Sequence, residues 1–118
     1  MTECYDKYGR WQSFGYKRNA RGQNYLGEFD VREEDDKFEI WNLKIYEPYR
    51  RKGYATRMLK EFIAQFKSDK PLSLYVLKGN KIAIHLYEKV GFVIIGKCKF
   101  EPNAYEMQYK GVSEAHVH

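Results

Sequence analysis

A chain of 118 residues has the size of one compact domain, and one core can bury about two thirds of its unfolded surface without disulfides. Hydrophobic residues make up 43% and aromatics 17%, which excludes a disordered chain, while no apolar stretch approaches the ~20 residues of a membrane span. Lys plus Arg number 21 against 16 Asp plus Glu, a formal +5 that suits an anionic ligand without choosing between a nucleotide and a nucleic acid.

Met1 to Arg10 is polar and lacks a signal-peptide core. Residues 1–12 and the tail 111–118 are expected to be poorly ordered flanks of a single domain. Phe14 to Lys17 reads as a short strand, followed by the turn-like Asn19-Ala20-Arg21-Gly22. Asn24 to Arg32 has strand character, with Tyr25, Leu26, Phe29 and Val31. The acidic block Glu33-Glu34-Asp35-Asp36 reads as a solvated turn. Lys37 to Tyr46 alternates, with Phe38 and Ile40 assigned to one face and Trp41, Leu43 and Ile45 to the other. The two strands and their charged turn form an antiparallel hairpin in this reading.

Pro48 ends that run. Thr56 to Lys67 carries Met58, Leu59, Phe62, Ile63 and Phe66 on one helical stripe and stops at Ser68-Asp69-Lys70-Pro71. Leu72 to Leu77 is a buried-type strand, broken by Gly79-Asn80. Lys81 to Val90 is a second helix, closed by Gly91. Phe92 to Phe100 and Ala104 to Lys110 are two final strands around Glu101-Pro102-Asn103. A strand, helix, strand order in the middle implies a parallel pair with a right-handed crossover, and the flanking hairpins imply antiparallel pairs. The fold class is α/β (α+β by some schemes), a mixed, mostly antiparallel sheet with flanking helices.

The chemistry concentrates between the second hairpin strand and the first helix. Tyr49 to Lys60 holds five basic residues, Arg50, Arg51, Lys52, Arg57 and Lys60, and no acid. A helix N-terminus exposes unpaired N–H groups and the positive end of the dipole, so it binds anions. Gly53 and the small Ala55 let a phosphate approach the backbone, and the arginines add charge and bidentate donors. The segment lacks the Gly-Lys-Ser/Thr of a P-loop and the three glycines of a dinucleotide fingerprint. A basic turn that opens an amphipathic helix fits it as well.

Leu43 to Ala55, LKIYEPYRRKGYA, resembles the GNAT (GCN5-related N-acetyltransferase) pattern in which a hydrophobic strand leads into Arg/Gln-x-x-Gly-x-Gly/Ala, with Arg50, Gly53 and Ala55 at its defining positions. Asn80, Ala83, the run Leu86-Tyr87-Glu88-Lys89 and then Gly91-Phe92 resemble the second pattern of the same family. The resemblance covers roughly residues 24–110. It implies that strands 38–46 and 72–77 lie parallel but splayed, with acetyl-coenzyme A entering the gap. Backbone near Leu43, Lys44 and Ile45 would hold the thioester end. Arg50, Arg51, Lys52, Gly53, Tyr54, Ala55 and Thr56 would cradle the pyrophosphate. Asn80 would contact the coenzyme, cap the second helix, or do both.

The activity this implies is an N-acetyltransferase, with direct attack of an amine on the thioester in a ternary complex. Tyr87 stands where the family often carries the proton donor to the leaving thiolate; a core aromatic on a helix stripe is the other reading. Glu39 stands where histone acetyltransferases of the superfamily carry a catalytic Glu, and otherwise reads as a cross-strand partner of Arg32. No metal is expected. His85, His116 and His118 are given no catalytic role, and Cys4 and Cys98 lack metal or disulfide spacing, which points to a reducing, cytoplasmic setting.

Relatives carry a strand and two helices ahead of the first hairpin, which shape the acceptor pocket, whereas few residues precede position 24 here. The acceptor is therefore left open among a small molecule, a peptide and a protein, or a homodimer that completes the pocket. Two other functions compete: a non-catalytic acyl-CoA-binding or protein-interaction module, and an acetyltransferase acting on aminoacyl-tRNA. The basic residues cluster where coenzyme phosphates would lie, which disfavours nucleic acid.

Overall fold

The structure, a computed structural model, describes residues 2–8 (backbone only), 10–17 and 25–111. Its elements are β1 (Thr2–Tyr8), β2 (Trp11–Lys17), β3 (Tyr25–Glu33), β4 (Phe38–Ile45), α1 (Tyr54–Gln65), β5 (Leu72–Leu77), α2 (Lys81–Val90), β6 (Phe92–Lys97) and β7 (Ala104–Tyr109). A short 3-10 turn spans Glu47–Tyr49, with Pro48 in its first turn. The strands form one sheet in the order β1-β2-β3-β4-β5-β7-β6. Every neighbouring pair is antiparallel except β4 and β5, which α1 connects as a crossover.

The helices, β5 and the mixed sheet follow the sequence reading, with α1 beginning at Tyr54 rather than Thr56. The first part of the chain differs from it. β2 starts at Trp11 instead of Phe14, and β1 lies within the segment 1–12, to which the sequence reading assigned no strand. An edge strand pairs along one side through main-chain groups that any residue supplies, so the polar run TECYDKY carries little strand signal. The expected turn at 19–22, Asn24 and the tail from residue 112 lie outside the described residues.

Both helices pack on one face of the sheet. Met58, Leu59 and Phe62 of α1 and Val90 of α2 join Ile40, Leu72, Leu74, Val76, Phe92 and Met107 in one buried cluster. Their spacing on α1 is the i, i+1, i+4 stripe of an amphipathic helix. The rings of Phe14, Phe29 and Phe62 meet at centroid distances of 5.0–5.1 Å, and the Tyr16 hydroxyl donates to Glu61 Oε2 at 3.0 Å, tying α1 to β2. The opposite face presents Lys37, Glu39, Trp41, Tyr75 and Glu106, and no described helix covers it. Among the described residues no helix is long and apolar enough to cross a membrane.

A β-bulge in β4 decides where the site forms. Glu28 pairs with Lys44 and Asp30 with Trp41, so Asn42 and Leu43 together oppose Phe29. Asn42 takes φ 55, a left-handed conformation that Asn tolerates, and its Nδ2 donates to Asp30 Oδ2 at 2.9 Å. The extra residue inverts the alternation. Trp41 stays on the open face, while Leu43 and Ile45 turn to the helix side with Ile40, which corrects the grouping of Trp41, Leu43 and Ile45 on one face. On the far side of the bulge Gly27 lies so close to β4 that a Cβ would sit 2.5 Å from the Lys44 carbonyl oxygen. β4 and β5 pair only from Phe38 to Ile40 against Leu72 to Leu74, then part. The splayed parallel pair is therefore present.

Tyr16 and Tyr75 give the fold an alkaline limit. Burial first, then hydrogen bonding to Glu61 and Glu39 respectively, pushes each phenol up to about 12. An unfolded tyrosine ionises near ~10. Because the folded value is the higher one, this contribution to stability is intact below pH ~10 and is lost as pH rises from there to about 12. An ultraviolet difference titration of the folded protein should show late phenols that include Tyr16 and Tyr75, with the urea midpoint falling over the same range. Ionisation of all tyrosines together near ~10 would contradict the burial described.

Candidate active site

A cleft opens where β4 leaves β5. Its inner part, about 220 Å³, is lined by Ile40, Trp41 and Leu43 of β4, Leu74 and Tyr75 of β5, and Tyr87 of α2. An outer part of about 370 Å³ runs on past Lys44, Ile45 and Arg50 to Asn80 and Ala83. Leu43 and Tyr87 line both parts, so the two adjoin. Among the described residues, the edge of β4 that faces the cleft has no strand partner past Ile40.

The turn between β4 and α1 closes the outer end. Arg50 Nε donates to the Ile45 carbonyl at 2.8 Å, which anchors the turn to the end of β4. Arg51 takes φ 66 and Gly53 φ 80. Left-handed backbone costs a non-glycine residue roughly 1–2 kcal/mol, and such strain concentrates at ligand sites. Gly53 is the N-cap of α1; no side chain caps this end, and no acid lies in the first turn. A Cβ on Gly53 would meet nothing within 4 Å, so the space beside the helix start is open. Arg51 and Lys52 are exposed around it. Tyr54 and Ala55 pack back against the core, with Arg57 over the Tyr54 ring, and Thr56 is half-buried. The turn thus joins uncapped N–H groups, positive charge and room, the elements of an anion site.

At the other helix, Asn80 Oδ1 accepts from the Ala83 N–H at 3.2 Å and caps α2, which is the capping role expected of it. Tyr87 is half-buried, edge-on to Phe92 at 6.2 Å. It belongs to the core stripe and to the cleft wall at once. Burial raises its phenol pKa, so the hydroxyl keeps its proton at neutral pH.

Glu39 is 6% exposed. Its Oε1 accepts from Trp41 Nε1 at 2.9 Å and its Oε2 from the Tyr75 hydroxyl at 2.6 Å. Lys37 Nζ lies 3.5 Å from Oε2 and donates to Tyr75 Oη at 2.7 Å and to Glu106 Oε2 at 2.8 Å. Burial pulls the Lys37 ammonium down, but its bonds to Glu106 and Tyr75 outweigh this and hold its pKa above the ordinary lysine value. Arg32 stands opposite Glu39 in register, yet its guanidinium turns to Glu34 and the Trp11 ring, so the cross-strand ion pair does not form. Sequence reading missed Lys37, Tyr75 and Glu106. The one local signal was a tyrosine in the strand run LSLYVL, on the face opposite Leu74 and Val76.

Trp41 and Tyr75, which line the inner cleft, pack with Phe100 on this face. Their centroids lie 5.4, 5.9 and 4.9 Å apart pairwise. His85 is exposed, and Cys98 is a buried free thiol. The side chain of Cys4, and His116 and His118, lie outside the described residues.

The sequence matches the acetyltransferase (GNAT) family over residues 4–92. It is 42% identical over 55 residues to the uncharacterized N-acetyltransferase YycN of Bacillus subtilis (strain 168), an overlap of 45% of this chain and 35% of that protein. It is 35% identical over 75 residues to the chloroplastic GCN5-related N-acetyltransferase 6 of Arabidopsis thaliana, covering 59% of this chain and 26% of the relative. The matched stretches thus span well under half the length of these relatives. In fold, the structure is similar to a mutant of the spermidine N-acetyltransferase SpeG of Vibrio cholerae, with a TM-score of 0.68 at 20% identity over 85% of this chain and 65% of that one.

Proposed function

The chain belongs to the acetyltransferase (GNAT) family, and from that premise we propose that it transfers an acetyl group from acetyl-coenzyme A to an amine. The observation that carries the reading is a cleft in two adjoining parts, which starts where β4 and β5 part after Ile40 and runs to Arg50, in the turn that leads into the uncapped N-terminus of α1. The pyrophosphate is assigned to the backbone of residues 53–56, with Arg50, Arg51 and Lys52 around it. The pantetheine arm is assigned to the unpaired edge of β4 at Leu43, Lys44 and Ile45, which offers the main-chain groups of a missing strand. Asn80 holds the start of α2 beside it.

Acetyl-coenzyme A supplies the activated acyl group as its thioester. An acceptor amine with a pKa near ~10 arrives protonated and must lose that proton before it attacks. Glu39 is the proposed base; its Oε1 accepts one bond, from Trp41, and keeps a second lone pair, while its Oε2 faces both Tyr75 and Lys37. The new C–N bond forms as the C–S bond breaks. A main-chain N–H along the cleft stabilises the passing oxyanion, and the Tyr87 hydroxyl gives its proton to the departing sulfur. The setting proposed is reducing and cytoplasmic, in keeping with the free thiol of Cys98.

Calorimetric titration with acetyl-coenzyme A tests this directly. Low-micromolar or tighter binding is expected. Gly53→Glu places a charge and a strained φ in the phosphate cradle and should weaken it at least about tenfold, while Gly53→Asn, which tolerates φ 80 and carries no charge, should lose much less. A folded wild-type chain that does not bind the coenzyme would end the transferase reading. Coenzyme binding without thiol release on any amine would leave a binding module instead.

A further inference from the structure

The cleft passes through the sheet. Tyr87 and α2 bound it on the helix side, and Trp41 and Tyr75 bound it on the open face. With the coenzyme along the β4 edge, an acceptor must come from the open face, because the helices occupy the other. Three features of that face define what it would hold. First, Glu39 and Glu106 both approach one ammonium, Lys37, and the formal charges of the three sum to one net negative charge. Second, Lys37 is already engaged by Tyr75 and Glu106, at 2.7 and 2.8 Å, and offers little to an anionic ligand. Third, Phe100 is 62% exposed, yet its ring stays over Trp41 and against Tyr75. Aromatic faces attract cations, and they also cover apolar chains.

We propose that Trp41 and Tyr75, with Phe100 packed on both rings and Glu39 bonded to both side chains, form the acceptor site and select a small primary alkylammonium ion with no carboxylate beside the amine. The inference rests on the transferase reading. A carboxylate on the α-carbon would meet the residual negative charge, and Lys37, the cation of this group, is already engaged. A second ammonium along the chain would lie on the rings without a carboxylate. A peptide would need main-chain partners, and the strand edges at the cleft are those assigned to the coenzyme.

The test uses the full chain with n-pentylamine and norleucine, which share an apolar chain and differ by one carboxylate. With saturating acetyl-coenzyme A, kcat/KM for n-pentylamine should exceed that for norleucine at least about tenfold. On the coenzyme A complex, n-pentylamine should shift the Trp41 indole N–H resonance, a readout independent of turnover. Phe100→Ala should raise KM for n-pentylamine roughly fivefold and leave the Kd for acetyl-coenzyme A unchanged. Phe100→Leu keeps apolar bulk and loses the ring, and should resemble Phe100→Ala. Equal use of norleucine, a wild-type KM in Phe100→Leu, no indole shift, or better use of a lysine peptide with a blocked N-terminus would each overturn the assignment. Failure of acetyl-coenzyme A itself to bind would instead remove the transferase reading beneath it.

Discussion

Tyr87→Phe is expected to lower kcat at least about tenfold, toward the ~10²–10⁴ that general acid catalysis typically contributes, with acetyl-coenzyme A affinity nearly unchanged. The substitution keeps the ring that packs against Phe92 and removes only the hydroxyl. It is therefore clean in the sense that matters: core and cleft wall keep their shape. Burial raises the phenol pKa, so wild-type Tyr87 is protonated at neutral pH and remains a competent donor as pH rises toward the ordinary tyrosine range. A departing alkyl thiolate is basic enough to take that proton. The measurement is kcat and KM by thiol release, with the coenzyme Kd measured separately. If affinity and kcat fall together, Tyr87 binds rather than donates. If neither falls, the thiolate leaves unassisted or takes its proton from water.

The parts of the site that were legible in the sequence are those set by local chemistry. Asn80 as a cap of α2 depends on residues three apart, and Gly53 at the start of α1 on a single turn. β5 and α2 end where the sequence puts their breakers, Gly79-Asn80 and Gly91. The parity of β4 was not legible, because it turns on one asparagine taking φ 55 in a run that alternates well on paper. An unbulged strand would have buried Trp41's neighbours differently and offered no reason for β5 to part from it. The surroundings of Glu39 were hidden for another reason. Its partner Tyr75 lies 36 positions on, and the Lys37 to Glu106 bond spans 69. No spacing rule reaches that far, and only the order of β4, β5 and β7 in the sheet brings the four side chains together.

Lys37→Met should destabilise the fold by more than about 1 kcal/mol, beyond an exposed pair and toward the ~3–5 kcal/mol lost when one partner of a fully buried ion pair is removed. The exposures of the three charged side chains, 18%, 8% and 10% for Lys37, Glu39 and Glu106, place them largely out of water. Without the ammonium, two carboxylates face each other with only Tyr75 and Trp41 as donors. The ammonium is held above the ordinary lysine value, so its contribution is complete at neutral pH and disappears only as pH climbs past ~10.4. Urea unfolding at neutral pH measures the loss. The double variant Lys37→Met with Glu106→Gln returns the cluster to one net negative charge and should recover part of it, a coupling that a double-mutant cycle isolates. A loss below about 1 kcal/mol, the scale of an exposed pair, would mean that the carboxylates are not both ionised in the wild type. The net negative charge invoked for the acceptor face would then be absent, and the selection against a neighbouring carboxylate would lose its cause.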